Sequence, residues 1–329
     1  MAFNILFLLF LSIPFSPSSA KLTLDYYKST CPDFEKIVRE NVFAKQSVVP
    51  ATAAGVLRLF FHDCITDGCD ASLLVSSTAF NPHVERDADL NLSLSGDAFD
   101  IIVKIKNALE LACPSIVSCS DIIAQATRDL VKIVGGPFYQ VRLGRKDSLV
   151  SSDSKVHASL LMPNMTMNQI IEKFTSKNLT IREMVALTGA HTIGFTHCKE
   201  FSNRIFNFSN TSQVDPTLNP NMAEGLRQVC KNYTMDPSMA AFNDVRSPSK
   251  FDNAYFNNIL KGLGLLTSDY LLGVDPRTKP IVEKYAKDEK VFFQDFANAM
   301  EKVSVFGVKT GHKGEVRNRC DRFNNLPAM

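Results

Sequence analysis

Several things are missing from this chain, and each absence narrows what it can be. No run of like charges interrupts it, and 36 Lys and Arg stand against 34 Asp and Glu for a formal net charge of +2. The concentrated basic footprint of a nucleic-acid partner is therefore lacking, and none is expected. Beyond the first twenty residues no apolar stretch approaches the roughly 20 consecutive residues that a membrane span requires. Cysteines never stand as Cys-x-x-Cys pairs, the usual opening of a zinc site. Internal repeats and low-complexity linkers are absent and sustained period-2 alternation is scarce, so the expectation is one mainly α folding unit, with Gln140 to Leu143 a minor strand at most.

What is present suits an exported globular protein. The 329 residues, 45% hydrophobic and 21% charged, can bury one extended core or two lobes. Residues 1–20 read as a secretory signal: Ile5 to Phe15 is apolar, Ser16-Pro17-Ser18-Ser19-Ala20 supplies the small residues a signal peptidase needs, and cleavage leaves Lys21 first. Pro14 and Pro17 break this stretch as a membrane anchor. Eight cysteines behind such a signal suggest four disulfides in an oxidising compartment, although sequence alone leaves roughly a hundred pairings. Sequons at Asn164, Asn178, Asn207, Asn210 and Asn232 are what an exported surface could carry, and a sixth begins at Asn91.

Pro and Gly punctuation predicts helices over Pro32 to Val49, Ala51 to Asp63, Ala98 to Leu111 and Ser120 to Val134, the last stopped by Gly135-Gly136. Thr180-Ile181-Arg182-Glu183 has the form of a capping box, starting a helix that runs into Gly189 and delivers His191 near its end. Further helices are expected at Asn221 to Val229, Asp252 to Leu260, Lys279 to Tyr285 and Val291 to Val303.

The richest segment is Arg58-Leu59-Phe60-Phe61-His62-Asp63-Cys64. On a helix Arg58 and His62 are four apart and Phe61 is three from Arg58, so one wall presents a permanent cation, a titratable base and an aromatic plate. Downstream, Asp63, Thr66, Gly68, Asp70 and Ser72 place side-chain oxygens and carbonyls along a tight loop, an arrangement that a hard cation such as calcium favours. Cys64 and Cys69 could staple that loop.

With these segments in view the chain resembles a plant class III secretory haem peroxidase over essentially Leu22 to Asn325. The resemblance is carried by Arg58 to Cys64 joined to Gly68-Cys69-Asp70-Ala71-Ser72, and by Leu187-Thr188-Gly189-Ala190-His191-Thr192-Ile193-Gly194 followed by Cys198. Phe251-Asp252-Asn253 with Ser268-Asp269, and Val117-Ser118-Cys119-Ser120-Asp121 with Leu143-Gly144-Arg145-Lys146-Asp147, recur at the family's separations.

The resemblance implies an all-α, two-lobed fold with one haem b between the lobes, the distal lobe over about 21–165 plus a C-terminal segment and the proximal lobe over about 166–290. It implies that His191 is the proximal iron ligand with Asp269 behind it. Across the haem, His62 acts as base and then acid, Arg58 stabilises developing negative charge, and Asn91 accepts the ring N–H of His62. That buried role argues against a glycan on Asn91. Phe61 and Leu161 are implied haem-pocket residues. Two calcium ions are implied: a distal one at Asp63, Thr66, Gly68, Asp70 and Ser72 with Glu85 tying Asn91 to that loop, and a proximal one at Thr192, Asp244, Ser247, Lys250 (through its carbonyl) and Asp252. The implied disulfides are Cys31–Cys113, Cys64–Cys69, Cys119–Cys320 and Cys198–Cys230, and Asp121 with Arg145 is an implied buried ion pair. Hydrogen peroxide and small aromatic donors are the implied partners, on a monomeric protein without a nucleic-acid or membrane partner after signal cleavage. The short tail after Cys320 favours extracellular or cell-wall export over vacuolar sorting.

The chain also departs from the family pattern. Tryptophan is absent, with Phe138 where many members carry it, and Ile65 and Ile193 stand where Phe is common. At the haem-edge entrance Leu161 replaces a proline, and Asp89, Asn164 and Glu200 replace aromatics, which predicts weaker binding of small phenols. His83, His157, His197 and His312 match no family role. A non-catalytic relative would have lost Arg58, His62 or His191, and a metallohydrolase built on His62-Asp63 would need more clustered ligands.

Overall fold

A computed structural model describes residues 21–324, so the signal expected over residues 1–20 lies outside the described residues. The first half is built on α1 (Phe34–Val48), α2 (Thr52–Thr66), α3 (Gly96–Ala112) and α4 (Cys119–Ile133). Pro50 separates the first two, and the Ser118 hydroxyl accepts the Asp121 N–H at the start of α4. Short α5 (Ser154–Ser159) and α6 (Met167–Ser176) follow, then α7 (Ile181–Thr188), where the capping box is formed by Thr180 and Glu183. A tighter 3₁₀ turn, Gly189–Thr192, continues α7 and carries His191.

Beyond it lie α8 (Ser202–Ile205), α9 (Pro220–Val229), α10 (Ala254–Ile259), α11 (Thr267–Val274), α12 (Lys279–Lys287) and α13 (Glu289–Ser304). A two-stranded antiparallel ribbon pairs β1 (Phe195–His197) with β2 (Ala240–Phe242). This strand pair was not expected, whereas Gln140 to Leu143 makes only a single bridge, Leu143 with Thr23. Helices α6 and α11 were likewise not foreseen. Helix α6 carries a legible capping box at Thr166 and Gln169, but α11 starts at apolar Leu266, whose N–H is satisfied from inside the helix by Asp269.

Helices α1 to α4 pack on one another, and α7, α10, α12 and α13 form a second group from which α13 also reaches α2. One apolar core runs through both groups, with Phe251, Phe256, Phe292 and Phe296 clustered under α7 and α13. A smaller cluster around Phe201, Ile205 and Leu226 is tied by Cys198–Cys230. The other disulfides join Cys31 to Cys113, Cys64 to Cys69 and Cys119 to Cys320. Asp121 and Arg145 form a buried ion pair at 2.8 Å, and the Tyr27 hydroxyl donates to the same carboxylate at 2.7 Å. The tail is held as tightly: Arg317 is fully buried and donates to the carbonyls of Ala71 and Ser148, each at 2.7 Å. Phe138, by contrast, is 55% exposed and lies beneath Arg128, so its position is a surface cation–π contact rather than core packing.

Candidate active site

Helix α2 buries Leu57, Leu59, Phe60 and Asp63 and turns Arg58, Phe61 and His62 toward open space. The 3₁₀ turn meets this helix from the other half of the chain: a Cβ on Gly194, two residues past Thr192, would press against Ala54, one turn before Arg58. Gly194 has φ +87°, a backbone shape that a side chain would strain, so the position admits the close approach for both reasons. The α2 face and the His191 turn are thereby brought together. His191 keeps about a third of its side chain accessible, at 36%.

Each histidine is held by its Nδ1. His62 Nδ1 lies 2.7 Å from the Asn91 side-chain oxygen, and the Asn91 amide nitrogen donates to the Glu85 carbonyl at 2.7 Å. The second bond fixes the orientation of the amide, so its oxygen must accept from His62 and leave Nε2 as the unprotonated nitrogen. His191 Nδ1 lies 3.4 Å from Asp269 Oδ1. Among the described residues neither Nε2 has a hydrogen-bond partner.

Electrostatics separate the two sides. His62 is partly accessible yet closely surrounded, as in a cleft, and its pKa is pushed down to about 3 by desolvation first and by Arg58 second, against the opposing pull of Asn91. Arg58 presents surface to the same space. Desolvation lowers its pKa, while Glu200 raises it. Burial of Asp269 pushes its pKa up, but hydrogen bonds from His191, Tyr255 and the Leu266 N–H outweigh that and leave it below the ordinary carboxylate value. Asp269 thus stays ionised behind His191.

Tyr255 was not foreseen as a site residue. Its hydroxyl donates to Asp269 Oδ1 at 2.6 Å and its ring meets His191 edge-on. In the sequence it reads only as a core aromatic. Ser93, also unforeseen, holds Arg58, and Asn258 donates to Asp244 at 2.8 Å.

Two loops bring side-chain oxygens together, one after α2 and one beside the His191 turn. Asp63 accepts backbone N–H groups of Asp70, Ala71 and Leu73, curling the loop around its carboxylate. A Cβ on Gly68, at φ +126°, would collide with the Gly307 backbone. Asp63, Asp70 and Glu85 are all buried, and Asp63 is raised by burial and then by Asp70. Burial and then Asp63 push Glu85 up to about 8. Ser72 Oγ and Glu85 Oε2 are buried without a hydrogen-bond partner. Crowded buried carboxylates with orphaned oxygens fit a divalent cation that would neutralise them. Thr66, whose hydroxyl donates to the His62 carbonyl at 2.8 Å, is buried at the end of α2.

On the other side Thr192, Asp244, Ser247 and Asp252 converge: Ser247 Oγ lies 3.1 Å from Asp252 and 3.4 Å from Asp244, and Thr192 Oγ1 lies 3.4 Å from Asp252. The Lys250 ammonium stands 3.5 Å from Asp252, so Lys250 offers a charge as well as the expected carbonyl. Among the described residues no group of three or more His, Cys, Asp or Glu side chains is arranged to hold a metal ion by itself, so any cation here would need the mixed carboxylate, hydroxyl and carbonyl oxygens that suit calcium rather than zinc. Leu161 and Phe61 line a small recess with Ile65, Ser159 and Phe174.

The mostly α fold is that of a peroxidase, and comparison with known proteins agrees. The sequence pattern of the peroxidase family matches residues 36–288. Three proteins of Arabidopsis thaliana are similar along nearly their whole length: Peroxidase 65 is 56% identical over 325 residues, 98% of this chain and 96% of that protein. Peroxidase 41 is 55% identical over 325 residues, 98% of each. Peroxidase 6 is 57% identical over 307 residues, 93% of each. The chain belongs to the peroxidase family, in its plant class III branch. It is a peroxidase, of a family that uses haem, hydrogen peroxide and a reducing donor.

Proposed function

We propose that His191 would hold one haem b and that His62, Arg58 and Asn91 would activate peroxide there. The observation that carries this reading is the 2.7 Å contact of His62 Nδ1 with Asn91, which leaves Nε2 free and unprotonated on the face shared with Arg58. Bound haem supplies an iron and ring system that pass two electrons to peroxide and regain them singly from two donors. His62 Nε2 takes the proton from the inner peroxide oxygen and returns it to the outer one, so that oxygen leaves as water. Arg58 holds a fixed cation where negative charge builds as the O–O bond lengthens. Asp269 and Tyr255 orient His191 and keep its ring electron-rich. Phe61 and Leu161 contribute apolar walls.

The test is the Soret response of the haem-loaded protein to stoichiometric peroxide, followed across pH. A folded-state pKa near 3 keeps His62 unprotonated, so the rate stays level from neutral pH down to about 4 and declines only as pH falls through about 3. Absence of a Soret band, or a decline centred near pH 6.5, would remove this reading.

Calcium is assigned to both loops: Asp63, Thr66, Gly68, Asp70 and Ser72, with Glu85 behind them, and Thr192, Asp244, Ser247, Lys250 and Asp252. Residues 21–165 with the C-terminal segment form the proposed distal lobe and 166–290 the proximal one. Secretion of a monomer to the extracellular space or cell wall is proposed from the leader. The five sequon asparagines are exposed, which suits glycans, whereas Asn91 is buried with both polar atoms engaged. Among the described residues no helix is long and apolar enough to cross a membrane.

Donors are aromatic, typically phenolic, and the rim suggests a bias among them. Asp89 and Asn164 are exposed, and half-buried Glu200 acts electrostatically on Arg58. A cationic aromatic amine is therefore favoured over a phenolate. Glu200→Phe is expected to raise kcat/KM for a neutral phenol about threefold to tenfold, the worth of one aromatic contact. Faster oxidation of the phenolate than of the amine by the unmodified enzyme would contradict the bias.

A further inference from the structure

The Arg58 guanidinium is held almost wholly by one residue. Its Nη1 donates to the Ser93 carbonyl at 2.9 Å, and its Nη2 donates to the Ser93 hydroxyl at 2.9 Å while reaching the Leu90 carbonyl at 3.5 Å. Two acceptors on a single residue, one per arm, fix both the direction and the plane of the fork. These acceptors are uncharged. A carboxylate in their place would fix the arm equally well but cancel much of the charge that peroxide cleavage needs, whereas neutral oxygens leave it available.

Ser93 lies two residues from Asn91, which holds His62. Leu92 between them is 67% exposed. The sequence reads this tripeptide as a sequon, yet Asn91 is 2% exposed and both polar atoms of its amide are engaged inside the protein, so the serine hydroxyl has another occupation.

We propose that Ser93 is a positioning residue for Arg58, so that Asn91-Leu92-Ser93 sets the base and the cation relative to each other in one short stretch of backbone. The proposal rests on the reading of Arg58 as the distal cation. Without its hydroxyl the planar guanidinium keeps a single close acceptor and can pivot about that bond, and a long side chain then spreads over several rotamers.

The experiment compares Ser93→Ala, Ser93→Thr, Leu92→Ala, Arg58→Leu and the double variant Ser93→Ala/Arg58→Leu. All are made in a host that does not glycosylate, which removes the sequon as a variable. Each is loaded with haem and read in two ways: the second-order rate of the Soret response to peroxide, and the affinity for fluoride, an anion that on ferric haem accepts a hydrogen bond from a nearby donor. Ser93→Ala is expected to lower both about tenfold, the scale of one lost hydrogen bond to a charged group. Ser93→Thr restores them to within about twofold and Leu92→Ala matches wild type, while Ser93→Ala adds nothing once Arg58 is gone.

Wild-type behaviour of Ser93→Ala in both readouts overturns the proposal, as does an undiminished effect in the Arg58→Leu background. If Arg58→Leu itself leaves the peroxide rate unchanged, the distal-cation reading fails instead, so the two failures are distinct. Should Ser93→Ala not take up haem, Ser93→Cys, close in size but a poor acceptor, is read in its place.

Discussion

Replacing His62 with alanine is expected to slow the reaction with peroxide by about 10²- to 10⁴-fold while leaving haem in place, the range usual for loss of a positioned acid–base group. The reasoning separates two jobs. On the proposed reading haem retention rests on the apolar walls and on His191, behind which stand Asp269 and Tyr255. On the same reading proton movement rests on His62 Nε2, and apart from Arg58 no other titratable nitrogen lies on α2. Arg58 stays protonated despite its lowered pKa and so cannot act as a base in its stead. Stopped-flow absorbance at the Soret maximum measures the effect, with the visible spectrum of the resting variant as a check on loading. A variant that keeps its haem and reacts within tenfold of wild type would mean that peroxide is activated elsewhere.

Removing calcium is expected to lower the melting temperature by about 10 °C and to take most of the peroxide reactivity with it. A ligand present at about a thousand times its Kd stabilises the native state by about 4 kcal/mol, and each kcal/mol moves the midpoint of a domain of this size by roughly 2–4 °C. Without the cation Asp63, Asp70 and Glu85 are left buried together, and burial with repulsion from the neighbouring carboxylates holds the carboxyls of Asp63 and Glu85 well above the ordinary range. The loss reaches the chemistry through the chain itself. Asp63 directly follows His62, and Thr192 directly follows His191, so each proposed cation site is bonded to one of the two histidines. Calorimetry and peroxide kinetics before and after a chelator, followed by calcium restoration, make the measurement. Asp63→Ala should already show half of the thermal loss and respond less to chelation. A chelated protein with an unchanged melting point and rate would dismiss both sites.

Local chemistry in this molecule is legible from sequence, and long-range closure is not. The shared face of Arg58, Phe61 and His62 follows from helical spacing alone, and the Thr180 capping box fixed where the helix before His191 begins. The helix termini were displaced by a few residues: α2 runs on to Thr66, which places a buried hydroxyl at the start of the cation loop. Tyr255, Ser93 and Asn258 escaped notice because each acts through a hydrogen bond to a residue 14 or 35 positions away. A tyrosine in an apolar run or a serine in a sequon carries no mark of such a partner. Disulfide pairing likewise needs distances that spacing does not contain, and the β1–β2 ribbon joins two triplets too short to show alternation.

The last stretch of chain closes structure that the first stretch begins. Cys320 is bonded to Cys119 across 201 residues, Arg317 lies buried among carbonyls of the α2–α4 half, and Ser76 donates to the Asp321 carbonyl. During synthesis, therefore, the half bearing His62 waits for almost the entire message to be read before its final contacts exist. For that interval the Cys119 thiol has no correct mate in reach, so faithful production depends on an environment that shields or reshuffles it. Truncating even a dozen residues from the end would be felt at the opposite end of the polypeptide.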